Sequence, residues 1–134
     1  MAMGEAVIVA GIGCRRGASA AAIEAAIEAA LARAGLDKDA LSLIAAPATK
    51  CDEPGIAAAA SARGVPLVAV SEVELKGAGA RTETRSARSL AHMGVPSVAE
   101  AAALAAAGAQ ARLLQPRLAL GAATCALATN GAAP

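Results

Sequence analysis

The feature that most constrains this 134-residue chain is the absence of every aromatic side chain: with no Phe, Trp or Tyr, its core has to be assembled from Leu, Ile, Val and many alanines. Alanine-faced helices can lie closer to a sheet than helices carrying bulky side chains, so closely stacked layers are expected. The chain is 57% hydrophobic and 17% charged. A domain of about this length buries roughly 68–70% of the surface its unfolded chain exposes, so one core suffices. The predicted unit is a single domain over 1–134, with its core at 5–128 and a tail at 129–134.

A formal net charge of +1 supplies no field to draw in nucleic acid, and the missing aromatics remove the platforms on which bases stack. Nucleic acid is therefore not an expected partner. Cys14, Cys51 and Cys125 are odd in number and too widely spaced for a compact zinc motif, and read as reduced thiols with neither metal nor cofactor implied. Gly11-Ile12-Gly13-Cys14 after an apolar run has the form of a lipoprotein processing site, but Met1 to Gly4 are not basic and Glu5 is acidic, which argues against a signal peptide. No apolar run reaches the 18 or so residues that a spanning helix needs. The expectation is a cytoplasmic protein with no membrane partner.

Taken in order, Ala6–Ala10 reads as a strand apolar on both faces, and Gly11 to Gly17 as a glycine loop. Ser19 then caps a helix with Ile23, Ile27 and Leu31 on one face, stopped by Gly35. Leu41–Ala46 is a second strand closed by Pro47, and Asp52 is the expected cap of a helix over Pro54–Arg63. Pro66–Val70 is a third strand, with Ser71 at its carboxyl end and one helical turn through Leu75. Lys76–Arg85 reads as a loop, either a lid or, as favoured here, a solvated connector. A helix over Glu83–Met93 follows, broken at Gly94-Val95-Pro96, and Ser97 with Glu100 forms a capping box for a helix to Ala107. Arg112–Leu114 and Leu118–Ala128 close the chain as an antiparallel pair separated by Gln115-Pro116-Arg117. The fold class is α/β, a three-layer α/β/α domain with a mixed, mostly parallel sheet of about five strands.

In such a sheet, ligands bind beyond the carboxyl ends of the strands. The residues predicted there are Gly11, Gly13, Cys14, Arg15, Arg16 and Gly17, then Lys50 and Glu53, then Ser71. Glycines allow positive φ and close approach, helix N-termini offer free N–H groups, and the three cations complete an anion site for carboxylates or phosphates. A dinucleotide fits poorly: the spacing is G-x-G-x-x-x-G, one residue longer than the usual fingerprint, and no acid ends the second strand. No Gly-Lys-Ser or Gly-Lys-Thr marks a phosphate loop. Cys14, beside two arginines near a helix start, has a setting that lowers a thiol pKa, although a packing role is favoured over catalysis. Lys50 and Glu53 form either a salt bridge at a helix start or a pair that grips and orients a ligand carboxylate. His92 reads as a helix-surface residue and Arg117 as a solvated edge charge.

Several of these segments together resemble the CobE family, equivalent to the C-terminal domain of CbiG, of cobalamin biosynthesis. They are Gly11-Ile-Gly-Cys-Arg-Arg-Gly17, Lys50 with Asp52-Glu53-Pro54-Gly55, Gly64-Val-Pro66, Gly94-Val-Pro-Ser97-Val-Ala-Glu100 and Thr124. The resemblance spans about Glu5 to Ala128, and departs from the family at Cys51 and Arg117. It implies a domain that binds a precorrin or corrinoid intermediate, whose acetate and propionate arms suit the cationic loops, in the aerobic branch of the pathway. Complete CbiG resembles an enzyme that opens a ring lactone and releases acetaldehyde, so a hydrolase is the alternative, and a scaffold for other pathway enzymes is a third. The resemblance leaves open whether there is turnover.

Overall fold

The structure is a computed structural model, which describes residues 7–83 and 97–130. One five-stranded sheet carries the fold: β1 (Ile8–Cys14), β2 (Leu43–Pro47), β3 (Leu67–Val70), β4 (Arg112–Leu120) and β5 (Ala123–Thr129), in the spatial order β3-β2-β1-β5-β4. The first three strands are parallel, whereas β5 runs antiparallel to both β1 and β4. The mixed three-layer α/β architecture expected from the sequence is therefore present.

Helices α1 (Ala20–Arg33) and α2 (Pro54–Arg63) form the two crossovers and cover one face, around Ile12, Ile23, Ile27, Ile44 and Leu127. The other face is covered by α3 (Glu72–Ala78) and α4 (Val98–Ala107), around Val9, Val70, Leu75 and Leu104. Period-two alternation in β1 separates these cores, since Val9 faces one and Ala10 and Ile12 the other. Arg63 clamps α2 to α1 through Glu28 (3.2 Å) and the Lys38 carbonyl (3.2 Å).

Strand β1 runs four residues beyond the expected end, so Gly11 to Cys14 are strand and not loop. The reason lies on α4. A Cβ on Gly11 would drive into the Ala99 carbonyl and sit 2.6 Å from the Ala103 nitrogen, and one on Gly13 would sit 2.7 Å from Thr124 Oγ1. Gly11 thus lacks a side chain so that an alanine helix can press its backbone onto the sheet, while Gly13 leaves room for the Thr124 hydroxyl. Gly13 lies against Val98 and Ala99, and Gly11 against Ala99 and Ala103, so α4 runs antiparallel to β1 and begins at its carboxyl end.

Three other expectations change. Gln115-Pro116-Arg117 does not separate two strands but lies within β4, at an irregularity in its pairing with β5. Proline, lacking an N–H, is tolerated on this edge strand, and the reversal occurs at Gly121, where φ is +62°. Lys76–Arg85 is no loop as far as Glu83: α3 continues to Ala78, a 3-10 turn follows, and Thr82 is buried. Arg81 donates to the carbonyls of Gly108 (3.2 Å) and Ala109 (3.4 Å), past the end of α4, which places the described end of this segment away from the carboxyl ends of the parallel strands. The cap of α2 is Glu53 and not Asp52. The helix expected over Glu83–Met93, with His92, lies outside the described residues beyond Glu83.

Close packing of α4 makes a sharp prediction. Gly11→Ala should lower the unfolding free energy by about 2 kcal/mol or more, because backbone and not a flexible side chain blocks the added methyl. Gly77→Ala, in α3 with open space around it, should be neutral or stabilising by up to about 1 kcal/mol. Urea melts followed by circular dichroism, compared with the parent chain, measure both.

Candidate functional site

The carboxyl ends of β1, β2 and β3 form one rim, and the β4–β5 turn joins it because Ala123 pairs with Cys14. Around this rim begin α1, directly after the β1 loop, α2 after β2, and α4 over Gly13. The positive ends of their dipoles favour negative charge at the rim.

Arg15 and Arg16 occupy the exposed turn between β1 and α1. Arg15 N donates to the Ala122 carbonyl (3.0 Å), and Ala18 N returns to the Arg15 carbonyl (3.1 Å). Gly17, with φ +79°, supplies the left-handed residue that this turn requires, and is the one glycine of the motif to do so. Ser19 caps α1 by accepting from Ala22 N (3.1 Å). Lys50 ends a 3-10 turn after β2 and is half-buried.

Glu53 does not pair with Lys50 through its side chain. Its carboxylate accepts from Gly17 N at 2.9 Å, while its own N–H donates to the Lys50 carbonyl at 3.0 Å. Among the described residues, Arg15, Arg16 and Lys50 have no carboxylate within ion-pair distance. Close by, Gly55 allows the start of α2 to abut the Ala18 carbonyl, where a Cβ would collide.

The structure therefore brings Cys14, Arg15, Arg16, Gly17, Lys50 and Glu53 together. Gly11 is buried beneath α4, Gly13 is half-buried beside Thr124, and Thr124 Oγ1 donates to the Gly13 carbonyl at 3.1 Å. Ser71 lies on the same rim at the end of β3, with its hydroxyl engaged in a capping box with Glu74.

Cys14 is not activated as its neighbours suggest. Burial pushes its thiol up from 9.0, Lys50 pulling it down and Glu53 raising it further. Burial also raises Cys51, with Asp52 adding to the effect, and Cys51 Sγ donates to the Ala46 carbonyl. Burial pushes Cys125, inside β5, up to about 12. All three thiols are free.

One group carried no signal in the sequence beyond its capping position. Glu100 is fully buried, and its carboxylate accepts from Glu83 N and from Arg117 N (2.8 Å), tying α4 to the segment after α3 and to β4. Ser97 accepts from Glu100 N (3.4 Å), the helix-start half of the expected box.

The family model for the cobalamin synthesis G C-terminus matches residues 8–128. The chain belongs to this family. It is 37% identical over 121 residues to Protein CobE of a Sinorhizobium species, covering 90% of this chain and 79% of the relative. A crystal structure of CobE, a protein from the cobalamin (vitamin B12) biosynthetic pathway, superposes with a TM-score of 0.86 at 36% identity, covering 92% of this chain and 90% of the other. The cobalamin biosynthesis protein chiG of Agrobacterium tumefaciens superposes with a TM-score of 0.73 at 48% identity, over 91% and 97% of the two chains. A putative cobalamin biosynthesis protein G homolog of Sulfolobus solfataricus shares the fold, with a TM-score of 0.67 at 24% identity over 37% of its length. This chain is accordingly a cobalamin biosynthesis pathway protein of the CobE and CbiG C-terminal type. Among the described residues, no helix is long and apolar enough to cross a membrane.

Thiol chemistry is directly checkable. Alkylation near neutral pH should be slow at Cys14 and Cys51 and absent at Cys125 until the chain unfolds, with the Cys14 rate still rising past pH 9.0. Fast labelling of Cys14 at neutral pH would contradict the assignment. Because the fold keeps Cys125 protonated to about 12 against 9.0 for a free thiol, its influence on stability is constant below pH 9.0 and unfavourable as pH climbs from there.

Proposed function

We propose that the chain binds a polycarboxylate precorrin or corrinoid intermediate at the rim, with Arg15, Arg16 and Lys50 pairing with the ligand's carboxylate arms. The observation that carries this reading is that three cations without carboxylate partners among the described residues share one edge with the starts of α1, α2 and α4. Family membership supplies the pathway, and the arms of its macrocycles supply the charge that such an edge suits. Arginine fits this role because its planar fork pairs with carboxylates in two bonds, whereas lysine acts as a point charge. The domain would carry, shield or present the intermediate to other pathway enzymes.

A hydrolase that opens a macrocycle lactone would need an activated Cys14 or a carboxylate free to handle a proton. The raised Cys14 thiol and the engagement of Glu53 with Gly17 weigh against it.

Without aromatic residues the protein is nearly transparent in the near ultraviolet, so binding of a coloured corrin is read cleanly. Titration with cobyrinic acid, whose arms are free carboxylates, should shift the corrin spectrum and retain it on the protein. Arg16→Ala should weaken binding about tenfold and flatten its dependence on salt. No shift and no retention would overturn the reading, and acetaldehyde release from a lactone-bearing intermediate would favour the hydrolase.

A further inference from the structure

We infer that Glu53 is a positioning residue, which fixes the Arg15–Gly17 turn to the Lys50 loop so that their cations meet a ligand as one rigid grip. The inference rests on the carboxylate-binding reading above and assigns Glu53 a role away from the ligand itself.

Glu53 occupies the N-cap of α2, where a carboxylate ordinarily accepts from the helix's own first-turn amides. Here it makes no such bond. The side chain turns to Gly17, 36 positions earlier in the chain, and accepts its N–H at 2.9 Å. Its own backbone is fixed in turn, because Glu53 N donates to the Lys50 carbonyl at 3.0 Å. Two hydrogen bonds thus run Gly17 to Glu53 to Lys50, linking the loops that follow β1 and β2. The neighbouring backbone closes the same joint: Ala18 is buried against the start of α2, at the spot where Gly55 has no side chain.

Electrostatic sign separates positioning from ligand contact. A carboxylate beside an anionic ligand repels it, so if Glu53 acted by charge alone, every substitution that removed the charge would tighten binding. If Glu53 acts by holding the turn, binding follows the acceptor atom and not the charge. Pre-organised cations meet a ligand without the ordering cost of two mobile loops, which is the source of the affinity at stake.

The test is the cobyrinic acid titration repeated with Glu53→Gln, Glu53→Ala, Glu53→Asp and Asp52→Asn. Asp52 is exposed, so Asp52→Asn calibrates the effect of removing one nearby negative charge. Glu53→Gln keeps an acceptor and loses the charge, and should bind as tightly as the parent or a few-fold tighter, in step with Asp52→Asn. Glu53→Ala, equally uncharged but without the acceptor, should bind about tenfold more weakly than Glu53→Gln. Glu53→Asp keeps the charge but falls short of Gly17, and should also bind more weakly than the parent; it carries the test if Glu53→Ala does not fold. If Glu53→Ala binds as tightly as Glu53→Gln, or Glu53→Asp as tightly as the parent, the positioning role is overturned while the carboxylate grip stands. If the parent chain binds no corrin, both are overturned together.

Discussion

The fold depends on the backbone contact between α4 and the middle of β1. Gly11 and Gly13 lie on the face of the central strand that α4 covers, and the helix meets them with Ala99 and Ala103. A chain without aromatics has little volume with which to fill a gap between layers, so its layers must be thin. Glycine at Gly11 in the strand and alanine at Ala99 and Ala103 in the helix are two halves of that solution. Strand β1 can consequently continue to Cys14, and the turn that carries Arg15 and Arg16 begins only where α4 no longer covers the sheet.

That geometry separates two roles which look like one in the motif Gly11 to Gly17. The first two glycines serve packing, and only Gly17 shapes a turn. Cations, a positive-φ residue and a tethering carboxylate then share the rim where α1, α2 and α4 begin. Half-buried thiols at Cys14 and Cys51, both raised, lie beside this edge without being primed for attack. The arrangement suits recognition of negative charge better than nucleophilic chemistry.

How far the sequence discloses this depends on the range of the forces involved. Local signals served well: Ser19 and Gly64 bound α1 and α2 as expected, and the order strand, helix, strand, helix, strand implied the parallel half of the sheet. Long-range contacts did not show. Glycine in a strand looks like a loop until its partner helix is known, and Gly11 is explained only by Ala99 and Ala103. Pro116 looked like a turn because its tolerance on an edge strand depends on which strand ends up outermost. Lys76 and Arg81 looked like part of a polar loop, whereas Leu75 and Ala78 are buried against α4 and Thr82 is buried too. At the site, the cations were visible by their type, but the bond from Gly17 to Glu53 was not, since its partners are 36 positions apart and Glu53 looked committed to Lys50.

The claim that the carboxyl rim of the parallel strands is the binding surface is tested most directly by mapping backbone amide resonances while cobyrinic acid is added to the isotope-labelled chain. The account predicts that the amides of Arg15, Arg16, Gly17 and Lys50 shift in proportion to occupancy, while those of Arg81, Ala109 and Thr129, toward the opposite edge, stay in place. Shifts confined to that opposite edge, or a bound corrin that leaves the Arg15–Gly17 turn unmoved, would contradict it.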